Sequence, residues 1–352
     1  MKKSTKKAVR IFRRTMFIGF LCIAVFCSGA ILKKCDENMR RWDGLYHLED
    51  NSIDVLFMGS SHSYCTFIPD VFDEAWGVNS YNLATSSQNV IQTYYNLKEI
   101  LSRQHPRVVV FEAYSLNDVD NWQPDDDWHP SKILNLDGMR MGPVKREAVR
   151  AQMYPYNIAL YYFTFYRVHS NWEDNRNVLT QAKKYLKASV DGTSVDETYK
   201  GYSGSTSEMT LETRRRYKKM KDVKGEYVIC ENQRKHFRMM AQLCRDQGIQ
   251  LVVVMAPILK EWRLHTDYGS RHRQIKEMAD EYGAPFLDYN VLYEQLGLNL
   301  HYFRNDADLV NGNTHLNDRG ARLISEDFSV RMGWLAKKIH RGAGCTDGGN
   351  EF

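Results

Sequence analysis

The sequence predicts an α/β protein. Its expected form is a three-layer α/β/α sandwich on a parallel five-stranded sheet, with an N-terminal transmembrane helix and an inserted helical and aromatic segment, a candidate lid. Short apolar runs recur at residues 53–58 (IDVLFM), 107–114 (RVVVFEAY) and 251–255 (LVVVM). The stretches between them carry apolar residues at helical spacing. Apolar strands alternating with amphipathic helices need both sheet faces covered, which is the doubly wound arrangement. A chain of 352 residues accommodates one such domain with a sizeable insertion.

Residues 1–14 hold Lys2, Lys3, Lys6, Lys7, Arg10, Arg13 and Arg14 and no acid, a basic tail expected in the cytoplasm. The uncharged stretch 16–32 (MFIGFLCIAVFCSGAIL) follows. Its 17 residues sit at the short end of a spanning helix and exceed the apolar core of a cleaved signal, about 7–15 residues. No Ala-x-Ala site follows, so residues 15–33 read as an uncleaved signal anchor of a single-pass membrane protein, with everything beyond outside the cytoplasm. Removing the seven tail cations from the formal net charge of +5 leaves about −2. The basic pI belongs to the anchor, and nucleic-acid binding is not expected. The seven cysteines form no CxxC and no zinc spacing. Cys230 and Cys244 are expected as free thiols, and no cofactor or metal motif is present.

The main domain is expected over residues 50–340, after a polar stretch reaching residue 52. Residues 53–58 form the first strand, closed by Gly59. Pro69 opens a short helix that Gly77 ends. Residues 81–84 (YNLA) make a weaker second strand, and Ser86 or Ser87 caps a helix reaching residue 104. Residues 107–114 are the third strand; 233–247, 251–255, 272–282 and 285–288 then alternate helix and strand. In such sheets chemistry gathers beyond the carboxyl ends of the strands.

Residues 119–225 break the rhythm and read as an insertion over the sheet edge. They begin in an acidic loop with Asp125, Asp126 and Asp127 beside His129, expected to be solvated rather than a cation site. An aromatic run over 154–172 follows, expected as core packing or else as a sugar-stacking or membrane-facing surface. The Gly-rich tail, 342–352, is expected to be disordered.

Two motifs carry chemistry. Gly59-Ser60-Ser61-His62-Ser63 puts a hydroxyl at the carboxyl end of the first strand, after a glycine that lets the chain turn sharply. Alone it is equally an ordinary serine-rich turn or a phosphate-cradling nest. The second, 314–321 (THLNDRGA), sets His315 at a loop mouth before the terminal helix, where an imidazole suits a general base or is merely solvated.

Together and in this order, residues 53–69, 81–88 (YNLATSSQ), 107–114 and His315-Leu316-Asn317 with Gly320-Ala321 resemble the SGNH/GDSL hydrolase superfamily. Within it they are most similar to membrane-anchored bacterial surface proteins of the DltD-like group. The resemblance covers roughly residues 50–115 and 225–340. It implies Ser61 as nucleophile, with Ser60 where many members have Asp, and His315 as base. It implies an oxyanion hole from the N–H of Ser61, the N–H of Ala84, where Gly is usual, and the side chain of Asn117 in Ser115-Leu116-Asn117-Asp118; Gln88 or Asn89 are substitutes for that Asn. The family's Asp three residues before the His is Gly312 here, which leaves Asp308, Asp306 or Asn311 as the third triad member. Arg167-Val168-His169-Ser170 resembles an Arg-x-His-Ser element of the same proteins, which makes Arg167 and His169 candidate substrate contacts; His62 and Gln88 are further candidates.

The resemblance implies an extracytoplasmic serine esterase or O-acyltransferase working on acyl esters of a cell-envelope glycan or teichoic-acid-like polymer, with a membrane-bound O-acyltransferase as a possible partner. Two other classes remain open at this level: a catalytically weak or inactive accessory module of the same fold, and a phosphate-binding protein using residues 59–63 as a nest. The last requires a helix starting at Ser61 and no histidine beside it.

Overall fold

In a computed structural model, the described residues are 2–33, 37–116, 127–196, 198–219, 227–263, 266–305 and 314–343. Five strands form one parallel sheet: β1 (Val55–Met58), β2 (Ser80–Asn82), β3 (Val108–Glu112), β4 (Gln250–Met255) and β5 (Phe286–Asp288), in the order β2-β1-β3-β4-β5. All five overlap the expected runs. The chain winds one way from β1 to β2 and the other way from β3 onward, so β1 and β3 flank the point where strand order reverses, the usual ligand crevice of such sheets.

Alternation explains why the strands read as continuously apolar. Leu56, Met58, Val109, Phe111, Leu251, Val253 and Met255 face one core with the helices Val90–Ile100, Glu231–Asp246 and Tyr268–Glu281. Val55, Phe57, Val108, Val110, Val252 and Val254 face the other, with Pro69–Trp76 and Asp318–Arg331. Every residue of β1, β2 and β3, and all of β4 after Gln250, is buried whichever way it points, so no polar period appears. The protein is therefore a three-layer α/β/α sandwich.

The N-terminal helix, Lys2–Leu32, is long and apolar enough over Lys6–Leu32 to cross a membrane. Two local expectations need correction. The polar stretch before residue 52 contains the helix Glu37–His47, whose Trp42, Leu45 and Tyr46 enter the core while its charges hide their spacing. The helix after β2 starts at Val90 rather than near Ser86 and Ser87. Asn89 caps it, accepting from Gln92 N–H at 3.0 Å while its own N–H donates to the Gln92 side chain at 3.3 Å. In the aromatic run Tyr161 is buried, but Tyr156, Tyr162, Phe163 and Tyr166 are exposed. Cys230 and Cys244 are free thiols. The end of the tail, 344–352, lies outside the described residues.

The insertion's helices Pro130–Gly138 and Pro143–Gln152 pack against Glu37–His47 and Val90–Ile100. Those over 164–191 pack against the N-terminal helix. Its later part runs extended beside the edge strand, where Lys200 C=O accepts from Asn82 N–H at 2.9 Å and Ser203 N–H donates to Tyr64 C=O at 2.9 Å.

Candidate active site

At the end of β1 the backbone turns through Gly59 with φ +132°, and a Cβ there would lie 2.6 Å from the Glu112 carbonyl oxygen. Only glycine passes β3 this closely in this conformation. The turn delivers Ser60 as cap of the one-turn helix Ser61–Tyr64; its Oγ accepts from His62 N–H at 3.4 Å. Ser61 is thereby the first helical residue, 8 % exposed, and its N–H has no hydrogen-bond partner among the described residues.

From the other end of the chain, Asn317 caps the helix Asp318–Arg331, accepting from Gly320 N–H at 3.1 Å. The segment before it is pinned by a bridge between Phe303 and Leu316 and by Arg304 N–H donating to His315 C=O at 2.9 Å. This holds the imidazole against the first motif: His315 Nε2 lies 2.8 Å from Ser61 Oγ, a hydrogen bond between residues 254 apart in sequence. A hydroxyl and an imidazole in this relation pass a proton when the oxygen attacks an electrophile.

The floor of the site is polar and buried. Glu112, at the end of β3, accepts from Tyr114 N–H at 3.1 Å, Ala256 N–H at 3.3 Å and Ser60 Oγ–H at 3.4 Å. Burial pushes its carboxyl up to about 7 against those hydrogen bonds. His62 is 2 % exposed; its ring stacks on Tyr114 with centroids 3.6 Å apart and stands 5.1 Å from the His315 ring. Burial, and then the neighbouring His315 and Arg271, hold it well below the usual histidine range, so it is neutral. Arg271 lies over the Tyr114 ring at 4.6 Å and donates to the Tyr114 carbonyl.

Several other sequence candidates are placed elsewhere. Ala84 is buried and its N–H donates to Asn82 Oδ1 at 3.2 Å, so that group is already engaged. His62 is buried beside the Ser61–His315 pair, its ring stacked on Tyr114, and is not exposed to a substrate. Gln88 is fully buried; its Oε1 accepts from Thr85, Asn96 and Asn135 and its Nε2 donates to Thr93, so the side chain is turned into the interior rather than toward a substrate. Arg167 forms a bidentate pair with Asp137 at 3.0 and 3.1 Å and donates to Tyr161 C=O at 2.8 Å. Burial alone would raise the Asp137 carboxyl, yet Lys33, Arg167 and Lys145 together hold it low. His169 is exposed, its Nδ1 2.8 Å from Tyr166 C=O, in the segment that packs on the N-terminal helix. Arg167 and His169 thus belong to the junction with that helix. Asn117, Asp306, Asp308 and Asn311 lie outside the described residues. Of the acidic loop, Asp127 is buried against Lys132 at 3.4 Å, and among the described residues no group of His, Cys, Asp and Glu has metal-holding geometry.

Glu112, Tyr114 and Arg271 were not singled out from sequence. Glu112 left a signal, a lone carboxylate ending an apolar strand; Arg271 left none, since it meets Tyr114 across 157 positions.

No protein-family profile matches this sequence, and no curated protein does. Among solved structures, the chain is similar to a protein of Bacteroides fragilis provisionally described as an acylhydrolase. It is 12% identical over 86% of this chain and 100% of that one, with a TM-score of 0.38. At that distance the likeness bears on no residue of the site.

Proposed function

We propose that this chain is a membrane-anchored serine esterase or O-acyltransferase of the SGNH type, related to the DltD-like surface proteins, with Ser61 as nucleophile and His315 as general base. The observation that carries the reading is the 2.8 Å approach of His315 Nε2 to Ser61 Oγ at the carboxyl edge of the parallel sheet. His315 takes the Ser61 proton as Oγ attacks an ester carbonyl. The tetrahedral oxyanion meets the unpartnered N–H of Ser61, and as it collapses the C–O bond to the leaving alcohol breaks and His315 returns its proton to that alcohol. Water or an acceptor hydroxyl, deprotonated by His315, then attacks the acyl-enzyme and frees Ser61. One of Asp308, Asp306 and Asn311 is the third member of the triad, and Asn117 is a further oxyanion donor. A site outside the cytoplasm and tied to the membrane suits acyl esters of an envelope glycan or teichoic-acid-like polymer, with a membrane-bound O-acyltransferase as partner.

A second reading, an inactive accessory module, is favoured by the engagement of the Ala84 N–H with Asn82, which leaves, of the two backbone donors expected from sequence, Ser61 N–H without a partner among the described residues. A phosphate nest is disfavoured because a histidine stands beside the helix that begins at Ser61. A fluorophosphonate probe separates esterase from module. Covalent labelling is expected at Ser61, absent in Ser61→Ala and slowed by about 10²-fold or more in His315→Ala. No labelling of folded wild-type protein sinks the esterase reading.

A further inference from the structure

The exposed aromatic residues of the insertion are concentrated where the chain turns at 162–166, against the N-terminal helix. Gly29 admits this contact: a Cβ there would lie 2.8 Å from the Phe165 backbone nitrogen. Asn171 Nδ2 donates to the Leu32 carbonyl at 3.0 Å, tying the end of the helix to the insertion. Between the two runs a groove of about 550 Å³, walled by Leu21, Val25 and Phe26 on the helix and by Tyr162, Phe163 and Phe165 on the insertion. Leu21 lies 11 residues before the helix end at Leu32, about 16 Å at 1.5 Å per residue. The groove therefore reaches down beside the part of the helix that would lie within hydrocarbon.

We propose that this groove is filled by lipid acyl chains and that the aromatic turn is a second membrane contact, seated in the leaflet on the domain's side. Three observations select lipid over another protein or a sugar. One wall of the groove is the spanning helix itself, and at that depth its solvent is hydrocarbon. Phe163 is 49% and Trp172 62% exposed, an apolar and aromatic surface continuous with the helix. Around the turn stand cations suited to headgroups: Arg146 and Arg150 on the helix Pro143–Gln152, near Tyr162, and Lys33, which lines the groove while its Nζ donates to the Asp137 carbonyl at 2.9 Å. A helix alone leaves the domain free to tilt and spin; a second contact fixes its orientation to the bilayer. This proposal rests on the N-terminal helix crossing a membrane and is independent of the esterase reading.

The test uses the full chain in phosphatidylcholine–phosphatidylglycerol vesicles, with a benzophenone-bearing residue replacing in turn Phe163, Phe20 within the spanning helix, and Val330, 80% exposed on the last large helix of the domain. Mass spectrometry counts lipid adducts after irradiation, and a thermal unfolding curve verifies that each variant folds. Adducts at position 163 within about threefold of those at 20, and at least tenfold above those at 330, are expected. Adducts at 163 no higher than at 330, or crosslinks there to a second copy of the chain, overturn the proposal. Absence of adducts at 20 overturns it together with the anchor, while leaving Ser61 labelling, and so the esterase reading, untouched.

Discussion

A carboxyl group buried under the nucleophile's turn, with burial pushing its pKa up to about 7, keeps its proton where an unfolded glutamate has lost it. The contribution of Glu112 to stability is therefore complete below about pH 4.5 and declines as pH rises through about 7, by about 3 kcal/mol at most. His62 works in the opposite sense. Its pKa is depressed by burial, so its contribution is present above about 6.5 and is lost as pH falls below that value. The two slopes oppose each other between those limits, and a difference measurement separates them. The gap in denaturant midpoint between wild type and Glu112→Gln is expected to shift against the wild type from pH 4.5 to pH 7.5; a gap constant with pH would mean that Glu112 does not titrate in this range. Gln88 teaches a related lesson. Its amide looked available for substrate in the sequence, and four buried neighbours hold it in the interior.

The helices that frame the site start where side chains satisfy free backbone N–H groups, and the reciprocal Asn89–Gln92 cap is the clearest instance. Asn89→Ala is expected to lower stability by about 1 kcal/mol. That corresponds to roughly 2–4 °C in a thermal melt. The sequence offered Ser86 and Ser87 for this cap, but the Ser86 hydroxyl instead pairs with the Tyr64 hydroxyl at 3.1 Å. In the insertion, Arg167 neutralises Asp137 where both side chains are only 6% exposed. Arg167→Ala leaves that carboxylate buried beside fewer cations and is expected to cost about 3–5 kcal/mol. Fluorophosphonate labelling per folded molecule should stay unchanged; a fall in labelling with folding intact would mean that Arg167 does reach the site.

At the scale of the molecule, the sandwich, the insertion and the N-terminal helix divide the work. The sandwich brings Ser61 and His315 to one rim, and the insertion ties the domain to the helix through Gly29, Phe165 and Asn171. If that tie sets the height of the site over a membrane, deleting the aromatic turn's apolar side chains should slow labelling by a lipid-borne fluorophosphonate in vesicles. The same change should leave labelling by a water-soluble probe unaltered. Equal slowing with both probes would show that the turn supports the fold instead.

Sequence alone determined the five strands, the apolar N-terminal helix and the two motifs that carry a hydroxyl and an imidazole, because each is written in adjacent residues through burial period, composition or turn chemistry. Strand order, the meeting of residues 254 apart, the burial of Glu112 and the engagement of Ala84 and Gln88 were decided only by tertiary structure. The physical reason is that a hydrogen bond or a desolvated charge depends on which groups arrive from elsewhere in the chain, and no local pattern encodes that arrival.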